Sequence, residues 1–295
     1  MDFEFSVPIQ PRFLAGIPLS VKTWAIQQLG FYGTALLFEY FDKTTFRRLR
    51  VREPDRKPFN QLLLRVLVNQ CCILLPCMML TQVVGICFTG PTHLHPINFL
   101  LILPAMAVGH DVVQYLTHRY LLHSPNIKLM RLLRHSVHHM TTASRGISAC
   151  YMSSVDFLLE IVFPYLVPLI LVGGGGADIR LQYLVAGLGA MGGVYEHSGY
   201  DFGVSLRSLG KASESTDTAE NSNSYISLAV LRALGGIFDN RAHGEHHARA
   251  NVSFADGFGN PGVCDTLFGT RFDLSGTQWT LAEKEWRSQT VSSRR

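Results

Sequence analysis

The sequence predicts an all-α integral membrane protein, with about four transmembrane helices in two hairpins under a cytosolic helical cap. Three observations predict it. Hydrophobic residues make up 47% of the 295 and charged residues only 16%, against a usual charged share of about 25%. Several apolar runs approach the roughly 20 residues with which a helix crosses a bilayer core. The net charge of +4 is modest and the Lys and Arg gather beside those runs, which favours a membrane surface and argues against nucleic acid as partner.

Taken in order, "MDFEFSVPIQPRF" lacks the basic start and apolar core of a signal peptide, so targeting is expected from the membrane segments themselves. Residues 24–41 are moderately apolar with polar interruptions and form a possible membrane helix. The linker 41–60, "FDKTTFRRLRVREPDRKPFN", carries seven Lys and Arg. Residues 1–60 are thus read as an N-terminal segment, and 61–295 as the membrane-embedded domain. The run 61–89 is long and strongly apolar, with Pro76 inside, and 97–117 follows it. A second pair, 155–172 and 181–195, comes later, its last member short for a span. The loops within the pairs, "GPTHLHP" at 90–96 and "GGGGADIR" at 173–180, are nearly uncharged. The basic segments therefore face the cytosol by the positive-inside rule. Both hairpins then return the chain to that side, just before "HRYLLH" and just before "EHSGYD".

Residues 205–225 are polar throughout and read as a mobile loop, and 226–238 as an amphipathic helix. The six cysteines form no CxxC pair, so buried, reduced thiols are expected rather than a disulfide framework or a zinc ribbon.

Half of the twelve histidines fall in two copies of one pattern, "HSVHH" at 135–139 and "HGEHH" at 243–247. Positions i, i+3 and i+4 share a helix face. His135, His138 and His139, and likewise His243, His246 and His247, are each expected to aim three imidazoles at one point. "HRYLLH" differs: His118 and His123 lie about 140° apart on an ideal helix, so their convergence requires a break or bulge between them. "EHSGYD" adds His197. His93, His95 and His110 are read as satisfied core residues rather than ligands. Imidazoles crowded together repel when protonated and need partners when buried. A metal satisfies several at once, and nine exceed what one tetrahedral zinc uses, so two metals are expected. Imidazole suits zinc, copper, nickel and iron alike, and spacing does not choose among them.

"HRYLLH", "HSVHH", "EHSGYD" and "HGEHH", in this order between membrane hairpins, resemble the histidine boxes of the fatty acid hydroxylase/sterol desaturase superfamily. "DTLFGT" at 265–270 is similar to that family's close, and the resemblance covers roughly 97–272. It implies a multi-pass, non-haem di-iron oxygenase of the endoplasmic reticulum membrane, with its histidine site facing the cytosol. Such an enzyme uses O2 and two electrons to hydroxylate, oxidise or desaturate a C–H bond of a sterol, fatty acyl or other lipid-like substrate. The resemblance makes His118, His123, His135, His138, His139, His197, His243, His246 and His247 the ligands of two iron ions. Asp111, seven residues before the first box, takes a supporting role. Asp201 stands where acyl 2-hydroxylases place a second histidine; "HSGYD" looks more like the sterol-modifying branches, and Asp201 is either a ligand or an acceptor. The polar stretch 205–225 and "ARANVSFADGFGNPGVC" are longer than the family pattern. No haem domain or dinucleotide fingerprint is apparent, so the resemblance implies electrons from cytochrome b5 or a similar donor and its reductase. Two rivals are a membrane metal-binding or transport protein and a catalytically inactive relative. Transport predicts ionisable residues along the middle of the spans, whereas here they gather at the cytosolic ends.

Overall fold

The computed structural model describes residues 16–55, 57–90, 94–176, 178–206, 230–231, 233–255 and 262–273. These residues build helices, with isolated β-bridges between Arg50 and Tyr200 and between Ser144 and Ser198. We number the helices α1 Leu19–Phe41, α2 Phe59–Val83, α3 Pro96–Leu122, α4 Ile127–Leu133, α5 Ser136–His139, α6 Ser154–Leu171, α7 Ile179–Glu196, α8 Arg241–Arg249 and α9 Val263–Leu267.

Among the described residues, α2, α3 and α6 are long and apolar enough to cross a membrane. Leu64 and Leu80 on α2, Leu100 and Leu101 on α3, and Leu171 on α6 are exposed, as lipid-facing side chains would be. The fourth expected span, 181–195, is helical within α7 but is not among these three, and neither is α1. These two pack along each other instead. On α1, Phe31, Ala35 and Phe38 form a buried stripe at helical spacing. Gly30 lets the two backbones close up: a Cβ there would lie 3.0 Å from Gly187 O, the small-residue contact common between membrane helices. Phe31, Ala35 and Phe38 share one core with Val194, Tyr195 and Tyr200.

Three helices contain a π-wound turn: Gln70–Leu74 in α2, His118–Leu122 at the end of α3, and Leu158–Val162 in α6. In α2 and α6 a proline, Pro76 or Pro164, follows two residues after the turn. A proline ring collides with the carbonyl four residues back. Here that carbonyl belongs to Cys72 or Glu160, inside the wider turn, which moves it out of the ring's way.

The two hairpins, α2–α3 and α6–α7, point the same way. Their connecting loops meet: Phe88 N donates to Gly175 O at 2.7 Å, Leu94 N to an Asp178 carboxylate oxygen at 2.7 Å, and Arg180 to Leu94 O at 3.1 Å. Asp178 also caps α7 by accepting from Arg180 N and Leu181 N, and its carboxyl is held well below the usual range, chiefly by the Arg180 guanidinium.

At the opposite end the basic linker is stitched into the cap. Val51 N and Arg52 N both donate to Gly199 O, at 2.9 and 3.2 Å. Arg50 reaches Asp42 and Ser144 O, and Asp55 accepts from both N and Oγ1 of Thr142 at 2.7 Å.

All six cysteines are free, and Cys87, Cys150 and Cys264 are buried. Cys71 and Cys72 are exposed on α2, not buried as the composition suggests, because a spanning helix turns part of its apolar surface outward. The stretch expected to be a mobile loop, 205–225, lies almost wholly outside the described residues; in 226–238, residues 230–231 and 233–237 are helical.

Candidate metal centre

All nine box histidines are buried at the cap end of the helices, none more than 7% exposed. They fall into two groups. His118, His123, His135, His139 and His246 form one, and His138, His197, His243 and His247 the other, with one nitrogen per residue lying within 4.8 Å of its fellows. The groups adjoin, with the rings of His139 and His247 4.5 Å apart.

Local structure sets each ring's place. The first box uses the π turn: His123 N donates to His118 O, five residues back, at 2.8 Å. That is the distortion the five-residue spacing requires, and it brings both rings into one group. In the second box Arg134 adopts a left-handed conformation, φ 57°, which turns the chain from α4 into the short helix α5. The fourth box lies on α8, introduced by Asn240, whose side chain donates to Tyr195 O and Tyr200 O.

The two HxxHH triplets do not each aim at one point, as spacing alone suggests. On a helix, i and i+4 are about 40° apart, whereas i+3 lies about 60° away on the other side of i. The i, i+4 pair stays together and the i+3 residue crosses over. The second box gives His135 and His139 to the five-histidine group and His138 to the other. The fourth box does the reverse, giving His243 and His247 to the four-histidine group and His246 to the five.

Hydrogen bonds fix the tautomers. Nδ1 donates to Phe254 O from His118 (2.8 Å), to Val252 O from His246 (2.7 Å), to Gly193 O from His197 (3.0 Å) and to Thr141 O from His247 (3.1 Å). His135 Nδ1 meets the Asp156 carboxylate at 2.8 Å. Each of these rings therefore presents a bare Nε2 lone pair to the cluster. The Nε2 atoms of His118 and His135, both without hydrogen, lie 3.1 Å apart, and the buried His247 Nε2 has no hydrogen-bond partner among the described residues. Lone pairs held face to face in a dry site are unfavourable unless a cation lies between them. Nitrogens about 2.1 Å from a shared metal are about 3 Å apart, which matches these contacts, so the donor set fits two metal ions.

The rings are held neutral, as ligands must be. Burial, and then crowding by other histidines, pushes His123, His138, His139 and His247 well below the usual range. Burial acts on His243 first and the Arg52 cation adds to it, bringing it to about 3. Arg52 comes from the N-terminal linker. Its Nη2 donates to Glu196 O at 2.9 Å, its guanidinium lies against Gly244, and its shielded Nε and Nη1 have no hydrogen-bond partner among the described residues.

The acidic residues singled out from the sequence lie elsewhere. Asp111 is buried and accepts from Val263 N and Cys264 N, both at 2.9 Å, tying α3 to the start of α9. Asp201 accepts from Val204 N at 2.9 Å and Asn240 N at 3.4 Å, bracing the residue that begins α8. Neither is grouped with the histidines. The carboxylates that do approach the rings are Asp156 and Glu160, grouped with His135, both within the apolar run 155–172. Their signal was available: two carboxylates one turn apart in a membrane segment are costly without a partner.

A family model described as fatty acid hydroxylase matches residues 103–270, a stretch holding all nine histidines. No curated protein and no solved structure matches the chain.

Proposed function

Because the chain belongs to the fatty acid hydroxylase family, we propose that it is a membrane-bound di-iron oxygenase. The family makes it an oxidoreductase of membrane lipids, and its buried histidine groups suit metal. The finer reading is ours: O2 and two external electrons are used to hydroxylate, oxidise or desaturate a C–H bond on a sterol, fatty acyl or similar skeleton. The observation that carries it is the division of nine neutral imidazoles into two adjoining sets of five and four.

The five histidines would hold one iron and the four the other; bound there, iron supplies the O2 activation and redox chemistry that no side chain provides. The protein's own part is positioning. Phe254 O, Val252 O, Gly193 O and Thr141 O lock ring tautomers, and Asp156 orients His135. Burial keeps the rings neutral and water out.

In this reading the chain is a multi-pass protein of the endoplasmic reticulum with the site facing the cytosol. Supporting the orientation, Arg50 and Arg52 of the basic linker donate to Ser144 O and Glu196 O, which follow the second box and precede His197, and basic segments stay cytosolic. A cytosolic site is open to cytochrome b5 or a similar donor and its reductase. The test is metal per chain by mass spectrometry on protein purified in detergent, beside O2- and reductant-dependent product formation from lipid extracts. Two irons per active chain are expected. An active preparation with one metal or none would overturn the reading.

A further inference from the structure

We infer that Asp265 and Thr270, the two ends of "DTLFGT", are positioning residues that aim His118 and His246 into the five-histidine centre through two intervening peptide planes. The inference rests on the di-metal reading above. His118 Nδ1 donates to Phe254 O at 2.8 Å and His246 Nδ1 to Val252 O at 2.7 Å. Both acceptors lie in one short loop after α8, 252–255, which is buried. A trans peptide is planar, with its N–H opposed to its C=O, so whatever holds one end aims the other. The N–H opposite Phe254 O is that of Ala255, and it donates to Asp265 Oδ2 at 2.7 Å. The N–H opposite Val252 O is that of Ser253, and it donates to Thr270 O at 2.8 Å.

Further bonds secure the two anchors. Asp265 Oδ1 accepts from Phe254 N at 3.0 Å and from Thr270 Oγ1 at 2.6 Å. The Asp265 backbone oxygen accepts from Thr270 N and Arg271 N, at 2.8 and 3.2 Å. Thr270 Oγ1 also lies 3.3 Å from the Tyr115 hydroxyl on α3, and Asp111 ties the start of α9 to the same helix. The loop needs such support: Ser253 sits at φ 52°, a conformation uncommon for residues other than glycine. Its own Oγ accepts from Phe272 N at 3.1 Å.

Charge acts along with shape. A carboxylate bonded to Ala255 N polarises that peptide and strengthens its carbonyl as an acceptor. A stronger acceptor on Nδ1 makes the opposite ring nitrogen a better donor to a metal. His118 thus has, through one peptide, what His135 has directly from Asp156. The four-histidine group draws on other carbonyls: His197 donates to Gly193 O and His247 to Thr141 O. Disturbing the 252–255 loop therefore acts on one centre and spares the other.

The experiment uses the full chain in detergent, titrated stepwise with ferrous iron and read by Mössbauer spectroscopy, beside its melting temperature. The doublet of the five-histidine centre is the one that His139→Ala removes. Asp265→Asn, nearly isosteric, sets an amide N–H against one of the two backbone N–H groups. It should weaken iron at the five-histidine centre about 10-fold or more and change the quadrupole splitting of that doublet. The four-histidine centre should keep its wild-type affinity and splitting. Thr270→Val keeps the backbone oxygen and removes only the hydroxyl, so it should give a smaller loss at the same centre, and it guards against misfolding of the Asn variant. Wild-type affinity and splitting at the five-histidine centre in both variants would overturn the inference, whatever the melting temperature. Equal weakening of both centres would also overturn it, reducing the motif to general packing. Fewer than two irons in an active wild type would instead overturn the di-metal reading, and the inference with it.

Discussion

The two histidine groups draw on the same two HxxHH boxes in mirrored proportion, yet their surroundings carry opposite charge. The five-histidine group has Asp156 on His135, while Glu160 lies near His118 and His135 of that group and His138 of the other. The four-histidine group has Arg52 against the residues next to His197 and His243. Carboxylates favour a bound cation and a guanidinium opposes one. If both sets hold metal as proposed, the first should bind it more tightly than the second. The fold makes the pair; the charges around it make the difference.

The largest effect comes from removing a ligand on either side. His139→Ala should empty the five-histidine centre and His247→Ala the four-histidine centre, each reducing product formation by at least about 100-fold, the upper end for groups merely behind a ligand. Metal per chain should fall from two toward one in each. Full metal and full activity in both variants would sink the di-metal reading, and loss of both metals in each would show that the centres do not load separately.

Asp156→Asn sharpens the contrast, because only the five-histidine centre depends on it. Metal affinity should drop about 10–100-fold there and stay unchanged at the four-histidine centre, as measured by stepwise metal titration. Arg52→Met works from the other side. Removing the cation should raise metal affinity at the four-histidine centre about 10-fold, since a nearby like charge is worth roughly one pK unit or more. An affinity that falls would show that the Glu196 contact matters more than the charge.

The smallest effect belongs to a residue remote from both. Asp178→Ala removes the α7 cap and the tie to Leu94, at a cost of about 1–2 kcal/mol, seen as a lower melting temperature with both metals retained. The folded carboxyl titrates below its unfolded value of about 3.9. Its contribution is therefore complete above that pH and is lost as the pH falls toward the folded value. Equal melting temperatures for variant and wild type at pH 7 would remove the cap from the account.

What could be read from the sequence was whatever depends on local pattern. Runs such as 61–89 and 97–117 are legible because apolar length alone marks a span. The boxes are legible because spacing along the chain survives folding, and the five-residue gap between His118 and His123 even required its own distortion. That the i+3 histidine of each box parts from its i, i+4 pair follows from helix angles, but which group each then joins depends on how α5 meets α7 and α8, and that was not legible. Arg52 was one of seven basic residues in a linker, and only the fold turns it inward. Asp156 and Glu160 were hidden by the strength of the apolar signal around them. Asp111 shares a helix with His118, but its carboxylate is taken by the backbone of α9, a partner that sequence proximity does not reveal.

The π turns have a consequence for how this chain tolerates change. Each holds one residue more than an ordinary turn and so acts as a phase slip, setting the face on one side of it by a different clock from the face on the other. In α3 the slip falls between the lipid-facing length of the helix and His123. Deleting one residue from 118–122 would leave hydropathy untouched and rotate everything downstream by about 100°, swinging His123 away from its fellows. An insertion elsewhere in the same helix would not undo it, because the slip works only where it lies. The lineage leading to this chain could thus revise its membrane surface freely, so long as the count of residues between two histidines stayed fixed.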